Sequence, residues 1–236
     1  ILISLSFISS IVFAQCNGRY MIDIFNTIDT VNVNYSNVYL DDSHTMDIYT
    51  ANGDTATNKP LIIFLHGGSF LGGDKTTTEC VDFCTYFARK GYVTASANYR
   101  LAPDQTTFAL YQEEQYTTVL KAVSDIKGAV RYFRKSVANG NPYGIDKNTI
   151  FIAGSSAGAV AAIHLAYIDT IFDLPISKTY IDVLTGQTVT FNPQNLVSEI
   201  GGDLEGDAGN DGYVSSVSGI ISFAGGINDV NWIDSN

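Results

Sequence analysis

Residues 151–159 read FIAGSSAGA, and no other stretch constrains the fold of this chain as tightly. Ile150, Phe151 and Ile152 suit a buried strand, Gly154-Ser155-Ser156-Ala157-Gly158 turns sharply, and a helical pattern follows through Tyr167. A serine between small residues at a strand-to-helix turn can be held in a strained backbone conformation with its hydroxyl exposed. The flanking glycines let neighbouring segments approach without a Cβ clash, and the helix start directs free N–H groups towards developing negative charge. Ser156 is therefore the candidate nucleophile, and the N–H of Ala157 a candidate donor to an oxyanion.

A second element lies at residues 61–74, LIIFLHGGSFLGGD. Residues 61–65 read as a central buried strand, and His66-Gly67-Gly68 follows at its carboxyl end, where open α/β sheets bind ligands. Gly67 and Gly68 allow the backbone to come close to a substrate, so their N–H groups join Ala157 as candidate oxyanion donors. His66 is expected to hold the loop by hydrogen bonds rather than to take part in chemistry.

The rest of the chain supplies the sheet. Residues 30–40 and 44–50 alternate polar and apolar side chains, as an antiparallel hairpin at a sheet edge does. A polar loop over 51–60 leads to the 61–65 strand, then an amphipathic helix over 76–90 ends at Gly91. A strand over 92–99, helical spacing over 111–137 and a Gly/Pro/Asn loop over 139–148 precede the 150–167 strand, turn and helix. The alternation predicts a mostly parallel, doubly wound sheet with right-handed crossovers. From 169 to 212 it breaks down, and Pro175, Gly186, Pro193 and the tract GGDLEGDAGNDG mark an irregular excursion of the kind that forms a lid or pocket wall. Residues 217–224 are a further buried strand. No internal repeat or linker divides the chain, so residues 15–236 read as one domain.

A net charge of −11 argues against nucleic acid or an anionic membrane surface as a partner. Asp203, Glu205, Asp207 and Asp211 have the alternating spacing of a calcium loop, but the twelfth position from Asp203 is Val214, where an EF-hand needs a bidentate glutamate. A solvated loop is the expected reading, with calcium left open. The three cysteines, Cys16, Cys80 and Cys84, come with no paired histidine cluster, so neither a metal site nor a cofactor is expected. Cys80 and Cys84, one helical turn apart, are expected to pack side by side; a bridge from Cys16 to one of them stays open.

Residues 1–14, ILISLSFISSIVFA, are apolar and uncharged over the length of a signal-peptide core, and too few to span a bilayer. Cleavage before Gln15 is expected, with export to the periplasm or the exterior and no stable membrane insertion. A lipidated Cys16 and a buried N-terminal strand are the alternatives. With neither an initiator Met nor a basic segment ahead of this core, the chain is expected to be a fragment.

Taken together, HGGSF at 66–70, YRLAP at 99–103, YGID at 143–146 and GSSAGA at 154–159 resemble the α/β-hydrolase carboxylesterases. The resemblance runs over residues 59–232 and is closest to the hormone-sensitive-lipase-like and bacterial feruloyl/acetyl esterase branches. It implies the α/β-hydrolase fold, Ser156 as nucleophile, and Gly67, Gly68 and Ala157 as the oxyanion hole. Asp125 matches a recurrent family position and is read as structural, a buried carboxylate that needs a partner. The implied function is an exported serine carboxylesterase forming an acyl-enzyme on small or polysaccharide-linked esters, acetyl or feruloyl among them. A peptidase on the same fold and a non-catalytic binding module are the alternatives.

One departure stands out. The family places the acid and then the histidine after the nucleophile. Of the three histidines, His44 belongs to the outer hairpin, His66 to the loop, and His164 lies roughly 12 Å along the helix from Ser156. Asp229 and Asp234 follow the 217–224 strand, one strand too early for the acid. The expectation is that the last strands, the acid and the base lie beyond Asn236, and that residues 1–236 alone are inactive.

Overall fold

The computed structural model describes residues 18–227; the expected signal segment, Cys16, Asp229 and Asp234 lie outside them. The chain opens with β1 (Ile28–Asn34), β2 (Thr45–Ala51) and β3 (Lys59–Leu65), followed by α1 (Thr78–Ala88) and β4 (Val93–Ala97). A short α2 (Gln105–Leu110) leads into the long α3 (Gln112–Ala138), then β5 (Ile145–Ser155) and α4 (Ala157–Tyr167). After α4 come β6 (Lys178–Ile181), β7 (Thr188–Phe191) and β8 (Gly219–Phe223).

Six strands form one sheet in the order β1-β2-β4-β3-β5-β8. The strands β4, β3, β5 and β8 run parallel, while β2 is antiparallel to both β1 and β4. This is the α/β-hydrolase arrangement that the sequence predicts, with its antiparallel hairpin at one edge, except that β8, expected to be buried, is half-buried to exposed at the other end of the described sheet. The run LIIFL of β3 and all of β4 are buried on both faces, as central parallel strands must be.

The register matters for function. Leu65 pairs with Ala97 on one side and Gly154 on the other, so the turn after β3 and the turn after β5 leave the sheet next to each other.

Helices cover both faces. On one face, Ala122, Val123, Ile126, Val130 and Phe133 of α3 join Ala157, Ala161 and Leu165 of α4 over Leu61, Ile63 and Leu65. On the other, Cys80, Cys84 and Ala88 of α1 pack on Ile62 and Phe64. Both cysteines are free thiols in this core, side by side as expected, and burial pushes the Cys84 thiol far above the usual range. No described helix is long and apolar enough to cross a membrane.

The excursion is more ordered than its composition suggests. The β6–β7 hairpin and a 3-10 helix at Pro193–Ile200 stand within it, and Val197 and Ile200 build a small core with Leu120, Ile168 and Leu174. The solvated loop expected at 203–211 is corrected in part: Asp203, Glu205 and Asp211 are exposed, but residues 208–210 are buried and the backbone is held from α3. Arg131 donates from Nε to the Gly209 carbonyl at 2.7 Å and from Nη1 to that of Glu205 at 2.8 Å, and Lys127 donates to that of Leu204 at 2.6 Å. The Glu205 and Asp207 carboxylates face Arg131 and Arg100, and among the described residues no cluster of three or more His, Cys, Asp or Glu could hold a metal ion. Glu205 and Asp207 of the acidic tract thus pair with the buried Lys127 and Arg131 of α3 and with the half-buried Arg100 in the loop after β4.

Candidate active site

β5 ends at Ser155 and α4 starts at Ala157, so Ser156 alone makes the turn, at φ 50° and ψ −114°. A non-glycine residue held there costs on the order of 1–3 kcal/mol, and it persists only where its surroundings fix it. Here they do. The Ser156 N–H donates to the Phe223 carbonyl and the Ser156 carbonyl accepts from the Val160 N–H, both at 2.9 Å. The residue is exposed to solvent.

The partner turn, 66–68, is fixed one peptide at a time. The His66 carbonyl accepts from the Tyr99 hydroxyl at 2.7 Å, and the N–H at the other end of that peptide, on Gly67, donates to Glu79 Oε1 at 3.1 Å. The Gly67 carbonyl accepts from His66 Nδ1 at 2.7 Å, and that of Gly68 accepts from the Leu71 and Gly72 N–H groups. A carbonyl can only accept, so Nδ1 carries the proton of a neutral ring. Burial lowers the His66 pKa in the same sense, and the ring stacks on Tyr99 at 4.5 Å. His66 acts as a brace for the loop.

This turn stands against the serine. A Cβ built on Gly67 would lie 3.4 Å from Ser156 Cβ and 3.3 Å from the Ser155 carbonyl oxygen. Among the described residues no acceptor sits on the N–H of Gly68, or on that of Ala157 at the first position of α4. The Gly67 N–H is already engaged by Glu79, which sequence reasoning did not foresee.

No described histidine hydrogen-bonds Ser156. His164 Nδ1 donates to the Val160 carbonyl one turn back at 2.7 Å. His44, placed in the outer hairpin from sequence, sits in a 3-10 turn just before β2, and its ring is buried rather than edge-exposed. Its Nε2 meets Asp125 Oδ1 at 3.1 Å and its Nδ1 meets Asp41 Oδ1 at 2.7 Å. Burial works to lower the His44 pKa, but the two carboxylates outweigh it and raise it. Asp125, fully buried, also accepts from the Arg100 backbone N–H at 2.7 Å and from its Nε at 2.9 Å. Arg100 reaches on to Asp207 Oδ1 at 2.7 Å. The partner that a buried Asp125 requires is thus the Arg100–His44 pair, and the cluster ties the turn before β2, the YRLAP turn, α3 and the acidic tract together.

A family model described as BD-FAE matches residues 46–183. Carboxylesterase 3B of Mus musculus is 28% identical over 139 residues, covering 58% of this chain and 22% of that protein. Carboxylesterase 20 of Arabidopsis thaliana is 29% identical over 126 residues, covering 52% of this chain and 35% of that protein. The chain therefore spans between about a fifth and about a third of the length of these curated relatives. Among solved structures, a truncated form of a carbohydrate esterase from gut microbiota aligns with a TM-score of 0.55 at 24% identity, covering 86% of this chain and 58% of that one. At that identity the likeness is one of fold.

Proposed function

The chain belongs to the BD-FAE family of α/β-hydrolase carboxylesterases, and from that premise we propose that it carries the nucleophile and oxyanion hole of a serine esterase. Ser156 attacks the ester carbonyl, the alcohol leaves, and water hydrolyses the acyl-enzyme. The N–H groups of Ala157 and Gly68 receive the oxyanion, that of Gly67 being engaged by Glu79. Donors fixed before the charge develops are worth about 3 kcal/mol each to the transition state.

The observation that carries this reading is the register of two turns: an exposed serine at φ 50° beside a glycine turn whose peptides are already locked. The base that takes the hydroxyl proton comes, in this reading, from outside residues 18–227: His44 is bonded at both ring nitrogens, His66 braces the loop, and His164 lies two turns along α4 from Ser156. Residues 169–212 supply a wall of the substrate cleft, and residues 1–14 direct export. Polysaccharide-linked acetyl or feruloyl esters are the proposed substrates, supported by the likeness to a carbohydrate esterase.

The test is a substrate panel on the full-length protein: p-nitrophenyl acetate, methyl ferulate, acetylated xylan and a peptide p-nitroanilide. Ester turnover that Ser156→Ala abolishes is expected. Turnover of the anilide in preference to the esters would favour a peptidase, and none at all a binding module.

A further inference from the structure

We infer that Glu79 is a positioning residue of this site: it withdraws the Gly67 N–H from the oxyanion hole and fixes the turn so that Gly68 is the donor. The inference rests on the esterase reading above and names which backbone groups perform it.

Glu79 lies in the first turn of α1. A Cβ on Gly67 would lie 3.5 Å from Glu79 Oε1 and 3.4 Å from Ser156 Cβ, so the carboxylate and the serine both crowd the space into which a side chain at this position would point. The Gly67 N–H has a single hydrogen, and the Glu79 carboxylate accepts it at 3.1 Å. Gly67 is thereby committed.

The next peptide is set by different partners. No cis peptide occurs in the described chain, so the Gly68 N–H points opposite to the Gly67 carbonyl. That carbonyl is held by His66 Nδ1, which turns the Gly68 N–H away from His66. Gly68 sits at φ +126°, a conformation open to glycine alone, and a Cβ there would lie 2.0 Å from the Gly72 carbonyl oxygen. The two constraints are complementary. Glu79 holds the first peptide of the turn, His66 the second, and the donor left without a protein acceptor is Gly68.

A negative charge beside a developing oxyanion opposes catalysis. What Glu79 contributes is therefore the hydrogen bond, not the charge, and the glutamine isostere separates the two. Full-length wild type, Glu79→Gln and Glu79→Ala are compared for kcat and KM on p-nitrophenyl acetate and for amide hydrogen exchange across residues 66–73. Glu79→Ala is expected to lose roughly tenfold or more in kcat with KM little changed, and to exchange faster in this segment. Glu79→Gln is expected to keep kcat at or above wild type and to keep the protection. Glu79 is exposed in the first turn of α1, so both variants are expected to melt as wild type does. An active wild type whose Glu79→Ala variant keeps kcat and protection overturns the assignment to Glu79 alone, as does a Gln variant damaged as badly as Ala. A wild type with no Ser156-dependent turnover removes the esterase reading and the oxyanion assignment with it.

Discussion

A Cβ built on Gly158 would lie 2.3 Å from the carbonyl oxygen of Leu65, so the first turn of α4 meets the end of β3 backbone to backbone. Neither side can yield without moving a central strand. Gly158→Ala is expected to cost about 3 kcal/mol in urea denaturation, at the upper end of overpacking penalties. Gly72→Ala, where a Cβ meets nothing within 4 Å, is the neutral control.

Asp125 is the hinge of the buried ionic cluster, accepting from both Arg100 and His44. Removing the charge of Asp125 leaves Arg100 with Asp207 and His44 with Asp41 as their remaining counter-charges, so the cost is expected at the lower end of that for breaking a buried ion pair, about 3 kcal/mol. Asp125→Asn is expected to show a loss of about that size in the same assay. Because Arg100 and Asp125 share the bond, Arg100→Met combined with Asp125→Asn is expected to cost less than the sum of the single changes.

The parts of the fold set by local pattern were legible in the sequence. The run LIIFL, the stripe on α3 and the small residues at 154–158 each specify their element, and the register of Leu65 with Gly154 follows once β3 and β5 are neighbours. Short elements were missed. α2 opens at Asp104, whose side chain caps the Thr107 N–H, a signal present in the sequence but masked by the adjacent YRLAP turn. The β6–β7 hairpin lacks a tight two-residue turn signature, and its strands are four residues each. Contacts between residues far apart in sequence could not be read at all. His44 meets Asp125 across 81 positions and Arg131 meets Gly209 across 78, and nothing in local composition marks either pair. The engagement of Gly67 by Glu79 was hidden for the same reason, since the path of the 69–78 loop decides it.

His44 gives stability a pH dependence of defined sign. Its folded pKa is raised against the opposing effect of burial by Asp125 and Asp41, so the folded state holds the proton more tightly than the unfolded chain. Its contribution is complete below the unfolded value of about 6.5 and disappears as pH rises through the folded one. The difference in Tm between wild type and His44→Gln is expected to be widest near about pH 6 and to narrow in alkaline buffer. Asp207 acts in the opposite direction: burial would raise its pKa, but Arg100 and Tyr39 lower it. Its contribution is present above the unfolded value of about 3.9 and lost as pH falls through the folded value. A Tm difference for His44→Gln that stays constant with pH would show that His44 does not titrate in the folded protein.

Arg131 is buried and holds the acidic tract through the carbonyls of Glu205 and Gly209. Arg131→Met keeps much of the side-chain volume but removes the donors, leaving those carbonyls without their partner. Cleavage after Glu205 by a glutamate-specific endoproteinase is expected to accelerate by roughly tenfold or more, at temperatures well below the global transition. Cleavage at the wild-type rate would mean that the tract is held by its other contacts.

The central claim concerns one hydroxyl, and it is tested most directly by treating the full-length protein with a fluorophosphonate and mapping the adduct by mass spectrometry. The account predicts a single stoichiometric adduct on Ser156, absent in Ser156→Ala. An adduct on Ser155 or elsewhere, or a folded protein that takes up no label, would contradict it.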